Sequence, residues 1–274
     1  MHSPDSIDLA AANEALVGTR FAGYVQHFSL VDSTNDLALH SAQTGAQSGV
    51  WVADEQTAGR GRGGHIWHST AGEGLYVSVL ITPQMWAEQA LLLSLAAGLA
   101  TQSAIEETCG MQIDLRWPND LMLKGKKCGG ILVETALDPA AGGQRSMLRY
   151  AVIGIGINVN HAAFPPELST LATSLRIETG VSLVRQRLLI ALLKALDTEI
   201  ELLEKQYRGA VNGRETRERF MAASSWVLGK RVHVPEQGGY TGRTAGLDDR
   251  GFLLVDADDG VRRTVFSGGV REAL

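Results

Sequence analysis

The chain has 274 residues, of which 45% are hydrophobic and 31 are glycines, and its formal net charge at pH 7 is −5. This length and composition predict a globular protein of one large or two modest domains, each able to bury a core. The acidic balance excludes a general electrostatic attraction to nucleic acid, because such binding depends on neutralising phosphates.

The N-terminus and the cysteine content both indicate the cytoplasm. Residues 1–22 form a predicted extension, which carries acids where a signal peptide carries positive charge. Cys109 and Cys128 are the only cysteines, too few for a disulfide framework and without the spacing of metal ligands. We therefore expect reduced thiols and no fixed metal site, and we interpret Cys128 as a small core residue at the start of a strand.

The first half of the chain alternates strand and helix signals. Alternating apolar residues predict strands at three places, residues 24–31, 50–56 and 74–81. After the first of them, Ser33 and Asp36 stand at capping-box spacing and predict the start of a helix. A buried helix is predicted from about 88 to 109, ending at Gly110, since its apolar run falls short of the roughly 18 residues that a membrane span needs. No membrane association is expected.

Three more strands are predicted after this helix. They are residues 113–117, 129–137 and 150–160. Pro118 must end the first, because proline cannot donate to a sheet ladder. On the last, Gly154, Gly156 and Asn158 share one face with isoleucines packed behind, so we expect a bare surface on which a flat ligand lies. The pattern is a poor dinucleotide fingerprint, because its third glycine is missing.

The chain ends in one long helix followed by a β-rich segment. The helix is predicted over 182–208, opened by Ser182, with an apolar stripe on one side. After Trp226, short strand patterns alternate with turn residues and predict a small all-β domain of roughly fifty residues. The expected domains are therefore residues 23–224 and residues 225–274.

Residues 57–67, TAGRGRGGHIW, form a flexible cationic loop. Its glycines allow a ligand to approach the backbone, and Arg60 and Arg62 offer rigid guanidinium forks that suit carboxylate and phosphate groups. Taken alone, such a loop is more often a hairpin turn with solvated arginines. An RGG-like segment that grips a nucleic-acid backbone is the other alternative.

A second polar cluster follows the proline-ended strand. Here Asn119 and Asp120 stand close in sequence to the pair Lys126 and Lys127, which leads into two glycines. A structural turn explains the asparagine and the aspartate. It does not explain a lysine pair at the entrance to a Gly-Gly strand, and this favours a binding site.

In this order and spacing, the segments resemble biotin protein ligases. The resemblance runs through STN at 33–35, EQTAGRGRGGHIW at 55–67, RWPNDL at 116–121, KKCGGILVE at 126–134 and GIGINVN at 154–160. It implies an α+β catalytic domain, a mixed sheet with helices related to class II aminoacyl-tRNA synthetases and lipoate ligases, followed by a small SH3-like β-barrel domain. About twenty residues precede the first strand, too few for the DNA-binding winged helix of some members, so the ligase-only form without specific DNA binding is expected.

The reaction implied by the resemblance has two steps. Biotin's carboxylate attacks the α-phosphate of ATP to give biotinyl-5'-AMP and pyrophosphate, and a lysine of the biotin carboxyl carrier domain of an acyl-CoA carboxylase then attacks the mixed anhydride. Lys127 and Arg62 are the implied catalytic residues, because fixed cations reduce the repulsion between the two anions. Mg²⁺ is expected to arrive with ATP near Asn119 and Asp120.

The resemblance also assigns ligand contacts to individual residues. Biotin is expected to contact Ser33, Thr34, Asn35, Gln56, Gly59, Arg60, Gly61, Arg62, Lys127, Gly130 and Gly154. ATP is expected to contact Arg62, His65, Trp67, Asn119, Lys127 and Asn158. Lys127 is chosen over Lys126 because it aligns with the family lysine three residues before the second glycine. His65 stands where many relatives have arginine, and a histidine is largely neutral at pH 7.

Two alternative functions stay open at this point. One is a lipoate–protein ligase of the same fold, because that reaction also passes through an acyl-adenylate. The other is a non-enzymatic regulator that binds nucleic acid through the cationic loop. The resemblance also leaves open whether the protein is a monomer or a homodimer, the order of substrate binding and the identity of the carboxylase.

Overall fold

The structure is a computed structural model that describes residues 7–138, 145–212, 214–236 and 238–273, so residues 1–6 of the predicted extension lie outside it. Within these ranges the larger sheet is built from β1 (Val25–Phe28), β2 (Gly49–Ala53), β3 (Gly74–Ile81), β4 (Asp114–Arg116), β5 (Asp120–Leu123), β6 (Lys126–Leu137) and β7 (Leu148–Asn158). Their spatial order is β1-β2-β3-β7-β6-β5-β4. Only β1 and β2 pair in parallel among them, so the sheet is mixed, as predicted.

Helices cover both faces of this sheet. The described helices are α1 (Leu9–Ala15), α2 (Thr34–Gln43), α3 (Leu91–Cys109), α4 (Leu175–Thr179), α5 (Arg185–Tyr207) and α6 (Glu215–Ala222). The helices α3 and α5 pack against each other and against one face of the sheet, where the main hydrophobic core lies. On the other face α2 buries Ala38 and Ala42 against Trp51, Leu80 and Val152. Alternation along the strands therefore buries side chains on both sides. None of the described helices is both long enough and apolar enough to cross a lipid bilayer.

Most predicted boundaries of helices are found. Ser33 caps α2 by accepting a hydrogen bond from the backbone N–H of Asp36, and α3 ends at Gly110, whose φ of 70° is left-handed. The predicted start of the long helix at Ser182 is wrong, because α5 begins at Arg185. The reason is a tertiary contact: both backbone groups of Leu183 bond the Asn160 side chain, which holds this stretch outside the helix.

The C-terminal segment forms a second, antiparallel sheet that packs on the first. Its strands are β8 (Leu228–Val234), β9 (Tyr240–Leu247), β10 (Leu253–Ala257), β11 (Arg262–Val265) and β12 (Arg271–Glu272), in the order β11-β10-β9-β8-β12. The Trp117 indole N–H donates to the carbonyl of Gly251 at 2.9 Å, and Arg116 donates to the carbonyl of Val270 at 2.9 Å. These contacts fix the loop between β9 and β10 and the loop after β11 beside the end of β4. The α+β fold class is confirmed, and the domain limits at residues 224 and 225 stay predictions.

The side chain of His161 is fully buried just after β7. No described residue bonds either ring nitrogen, and the ring stacks on Phe164 with centroids 4.9 Å apart. Burial, with a smaller contribution from the nearby His68, lowers the pKa of His161 from 6.5 to about 4. The folded protein therefore holds this imidazole neutral at a pH where the unfolded chain protonates it.

This difference predicts an acid-sensitive stability. The unfolded state binds the proton first as the pH falls below 6.5, so the free energy of unfolding should decrease by roughly 2 kcal/mol between pH 7 and pH 5 through this residue. In His161→Phe, which keeps the ring stack, that part of the loss should disappear. Urea denaturation of wild type, His161→Phe and the exposed-site control His40→Asn at both pH values checks it. Equal pH-dependent losses in all three proteins would contradict the assignment.

Candidate active site

Two adjoining cavities open between the sheet and the 57–67 loop. We call the first, of about 50 Å³, the narrow pocket, and the second, of about 770 Å³, the wide cleft. The narrow pocket lies against α2 and the middle of β6 and β7, whereas the wide cleft also reaches the segment after β7 and the loop after β11. Both cavities are lined by Gly61, Arg62, Trp67, Asn119 and Lys127, which form the wall between them.

One end of the narrow pocket is lined by buried, hydrogen-bonded polar groups. The backbone N–H and the hydroxyl of Thr34 both donate to Gln56 Oε1, at 2.9 and 3.1 Å, and Gln56 Nε2 donates to the hydroxyl of Ser69 at 3.0 Å. The Ser78 hydroxyl lies 2.7 Å from Thr34 Oγ1. Ser33, Thr34 and Ser78 are all buried. Hydroxyl and amide groups are thus held in fixed positions away from water.

The glycines of β7 make room for side chains from other elements. A Cβ on Gly154 would lie 2.1 Å from Asn35 Oδ1, and a Cβ on Gly156 would lie 2.6 Å from the Trp67 ring. The prediction of a bare surface is therefore wrong, because Asn35 and Trp67 cover it. The isoleucines behind are buried as expected. Asn158, at the end of β7, lines the wide cleft, and its Nδ2 donates to the carbonyl of Thr173 at 3.0 Å.

The arginines of the loop turn toward the protein. Arg60 Nη2 lies 2.5 Å from Glu134 Oε2 and 2.9 Å from Asp36 Oδ1. Arg62 Nη1 donates to Asn119 Oδ1 in a long contact of 3.4 Å. Burial lowers the pKa of Arg62, and the carboxylate of Asp120 offsets part of that effect. Arginine stays charged under such a shift, so the wall between the cavities keeps a partly desolvated cation.

Lys127 supplies the second cation of the shared wall. Its Nζ lies 2.5 Å from Asp120 Oδ1 and 5.6 Å from the centroid of the Trp67 ring. Gly130 leaves the space for this arrangement, since a Cβ there would lie 3.2 Å from Lys127 Cε and 3.3 Å from Trp67 Cζ3. The neighbouring Lys126 points elsewhere, and its Nζ donates to the carbonyl of Ser169 at 3.3 Å.

The structure brings together nearly all of the residues named from the sequence. Gly59 lines neither cavity. A Cβ there would lie 2.7 Å from the Trp67 carbonyl, so glycine at this position lets the two ends of the loop pack together. His65 is exposed and lines the wide cleft. Cys128 is a buried core residue, as interpreted, and burial raises the pKa of its thiol to about 12.

Sequence reasoning missed three contributions to the site. Ser78 lies inside an apolar strand and Glu134 inside the KKCGGILVE stretch, where neither stood out. The loop 267–269 comes from the C-terminal sheet and lines the wide cleft, where a Cβ on Gly268 would lie 3.1 Å from Arg62 Nη1. No local pattern could place that loop here. Among the described residues, no group of three or more His, Cys, Asp or Glu side chains is arranged to hold a metal ion.

Comparisons with known proteins agree with this geometry. Residues 27–158 match the biotin/lipoate A/B protein ligase family, and residues 227–270 match the biotin protein ligase C terminal domain. The chain is 33% identical over 243 residues to the bifunctional ligase/repressor BirA of Bacillus subtilis (strain 168), covering 86% of this chain and 70% of that protein. It is 35% identical over 250 residues to the biotin–[acetyl-CoA-carboxylase] ligase of Mycobacterium tuberculosis, covering 86% of this chain and 84% of that protein.

A solved structure gives the same result. The biotin protein ligase from Aquifex aeolicus in complex with biotin and ATP matches with a TM-score of 0.74 and 28% identity, over 92% of this chain and 100% of that chain. The resemblance seen in the sequence motifs is thus confirmed by sequence relatives and by the fold. The chain belongs to the biotin protein ligase family.

Proposed function

We propose that the narrow pocket binds biotin, that the wide cleft binds ATP, and that the protein joins the two as biotinyl-5'-AMP before passing biotin to a carrier lysine. One observation carries this proposal. Five residues line both cavities, and two of them, Arg62 and Lys127, are cations. Ligands that fill the two cavities meet at this wall, where a carboxylate and a phosphate face the same two positive charges.

The polar end of the narrow pocket suits the ureido ring of biotin. That ring has one carbonyl oxygen and two N–H groups, so it needs both donors and acceptors. Ser33, Thr34 and Gln56 offer hydroxyl and amide groups held in place by their own hydrogen bonds. The dithiolane ring of lipoate makes no comparable hydrogen bonds and would leave buried polar groups unpaired, which is costly. This difference supports biotin over lipoate.

The shared wall supports the chemistry of adenylation. An oxygen of the biotin carboxylate forms a bond to the α-phosphorus, and the bond from that phosphorus to the oxygen bridging to the β-phosphate breaks, releasing pyrophosphate. The negative charge that builds on the phosphoryl oxygens is stabilised by Arg62 and by Lys127, which exchanges Asp120 for the ligands. In the second step a neutral lysine amine attacks the acyl carbon, AMP leaves with the anhydride oxygen, and the amine loses a proton.

Mg²⁺ fits the wall of the wide cleft as a companion of ATP. Asn119 and Asp120 both line this cleft with side-chain oxygens, and Mg²⁺ commonly takes one or two protein oxygens with the rest from phosphates and water. When bound, the ion would neutralise part of the triphosphate charge. Asp120 pairs with Lys127 and would be available to hold the ion when Lys127 contacts the phosphate.

The acceptor we propose is the biotin carboxyl carrier domain of an acyl-CoA carboxylase. The support is chemical and comparative: the proposed acyl-adenylate needs an amine nucleophile, and a relative with 35% identity is named a biotin–[acetyl-CoA-carboxylase] ligase. The direction of the loop arginines supports the ligase over the nucleic-acid alternative. Arg60 and Arg62, which suggested it, contact protein carboxylate and carboxamide groups at the cavities and do not form an outward row of cations.

The proposed function is tested by the adenylate itself. The protein incubated with ATP, Mg²⁺ and either biotin or lipoate should yield biotinyl-5'-AMP and pyrophosphate, with no lipoyl-AMP, because the polar pocket end selects the ureido ring. Mass spectrometry of the two reactions separates the products. Lipoyl-AMP formed at a comparable rate would contradict the specificity, and no adenylate in either reaction would contradict the enzyme.

The role of Lys127 predicts a contrast with its neighbour. Lys127→Ala should lower the rate of pyrophosphate release at saturating biotin and ATP by ~100-fold or more, because one cation facing the reacting phosphate is lost. Lys126→Ala should change that rate little, since its side chain bonds the carbonyl of Ser169 outside both cavities. A coupled pyrophosphate assay measures both. A large loss in Lys126→Ala alone would show that the wrong lysine is assigned.

The tight contact at Gly154 predicts a specific effect on biotin. In Gly154→Ala the added methyl group must displace Asn35, so the KM for biotin should rise about tenfold, the effect of one lost hydrogen bond to a ligand, while the KM for ATP stays close to wild type. Gly98→Ala is the control, because its Cβ would meet only Phe220 and Leu115 at ordinary distances in the core. Equal changes in both KM values would indicate general damage instead.

A further inference from the structure

The carboxylate of Glu134 contacts two parts of the proposed biotin site at once. Glu134 lies on β6, where it shares a face of the sheet with Leu132 and Gly130, both of which line the narrow pocket. Its Oε2 accepts a hydrogen bond from Asn35 Nδ2 at 2.9 Å and one from Arg60 Nη2 at 2.5 Å. One oxygen atom therefore joins the start of α2 to the cationic loop.

We infer that Glu134 is a positioning residue for biotin binding, an inference that rests on the proposed biotin site. Its first effect is on the direction of the buried hydrogen bonds. A carboxylate only accepts, so Asn35 must present Nδ2 to Glu134 and Oδ1 to the hydroxyl of Ser78, which donates to it.

The direction set by Glu134 extends to the polar end of the pocket. The Ser78 hydroxyl has one hydrogen, and Asn35 takes it, so the hydroxyl of Thr34 cannot accept that hydrogen and must donate its own, to Ser78 or to Gln56 Oε1. Gln56 Oε1 also accepts from the backbone N–H of Thr34, which leaves Gln56 Nε2 to donate to Ser69. The charge on Glu134 thus fixes the donor and acceptor roles of Asn35, Ser78 and Thr34 beside the pocket.

The second effect of Glu134 is on the loop. Arg60 lines the narrow pocket and is held there by two carboxylates, Glu134 from β6 and Asp36 from α2. The side chain of Glu134 is 27% exposed and that of Asp36 is 51% exposed, so water screens the contact to Glu134 less. Glu134 is the stronger anchor of the loop over the pocket.

The test is the variant Glu134→Gln, which keeps the size of the side chain and removes the charge. Pyrophosphate release is measured against biotin concentration at saturating ATP, together with the melting temperature. The KM for biotin should rise about tenfold, as expected for the loss of a hydrogen bond to a charged group, while kcat at saturating biotin stays near wild type. A residue that only supports the fold would lower the melting temperature without this separation of KM from kcat.

Two further variants separate the possible causes of a raised KM for biotin. Asp36→Asn removes the other carboxylate partner of Arg60 but leaves the Asn35 contact, so it should raise the KM less than Glu134→Gln does. Glu199→Gln removes a buried carboxylate that pairs with Arg219 between α5 and α6, and neither residue lines a cavity of the site. It should lower the melting temperature and leave the KM for biotin unchanged.

The outcomes separate this inference from the proposed function. If Glu134→Gln keeps the wild-type KM while Gly154→Ala raises it, Glu134 has no positioning role and the inference is overturned. If neither variant changes the KM for biotin, biotin does not occupy the narrow pocket, and the proposed biotin site is wrong together with the role of Glu134. A KM raised in Glu134→Gln but equally in Glu199→Gln would also overturn the inference, because general destabilisation would explain both.

Discussion

The site depends on three glycines that leave space directly above two neighbouring strands of the sheet. Because Gly130, Gly154 and Gly156 have no side chains, three other side chains can lie against the backbone of β6 and β7. These are the ring of Trp67, the side chain of Asn35 and the aliphatic stem of Lys127. Close packing of this kind is sensitive to a single added methyl group. The covering side chains come from α2, from the 57–67 loop and from the start of β6. All three therefore pack against the same glycine positions of β6 and β7.

Electrostatic compensation explains how an acidic protein carries a cationic loop folded inward. Arg60 faces Asp36 and Glu134, and Lys127 faces Asp120, before any ligand contributes charge. The side chains of Arg60 and Lys127 are 39% and 36% exposed, so the carboxylates compensate a partial loss of hydration. The carboxylates keep Arg60 at the narrow pocket and Lys127 at the wall between the cavities, where the proposed anionic ligands would replace Asp120. Preorganisation of this type lowers the cost of bringing two anions together.

Hydrophobic periodicity in the sequence predicted elements of the fold, and the motifs predicted residues of the site. Periodicity predicted the long strands and α3, because alternating or continuous apolar residues reflect burial directly. The motifs predicted which residues meet, since Arg62, Asn119 and Lys127 do line one wall. What failed depends on tertiary contacts. Asn160 shifts the start of α5, and Asn35 with Trp67 covers a face that looked bare. Short helices such as α6, with few buried residues, leave too weak a pattern to detect.

The attachment of the C-terminal sheet makes the wide cleft, the site that we propose for ATP, a joint product of both sheets. Trp117 and Arg116 tie this sheet to the end of β4, and Gly268 lies against Arg62 at the shared wall. A ligand that binds only when these parts are docked adds its binding free energy to the docking equilibrium. Coupling of this kind is reciprocal, so a change that weakens the docking of the small sheet also weakens the affinity of the wide cleft for its ligand. The small sheet therefore belongs to the ligand site itself, although it supplies no charged group to the wall.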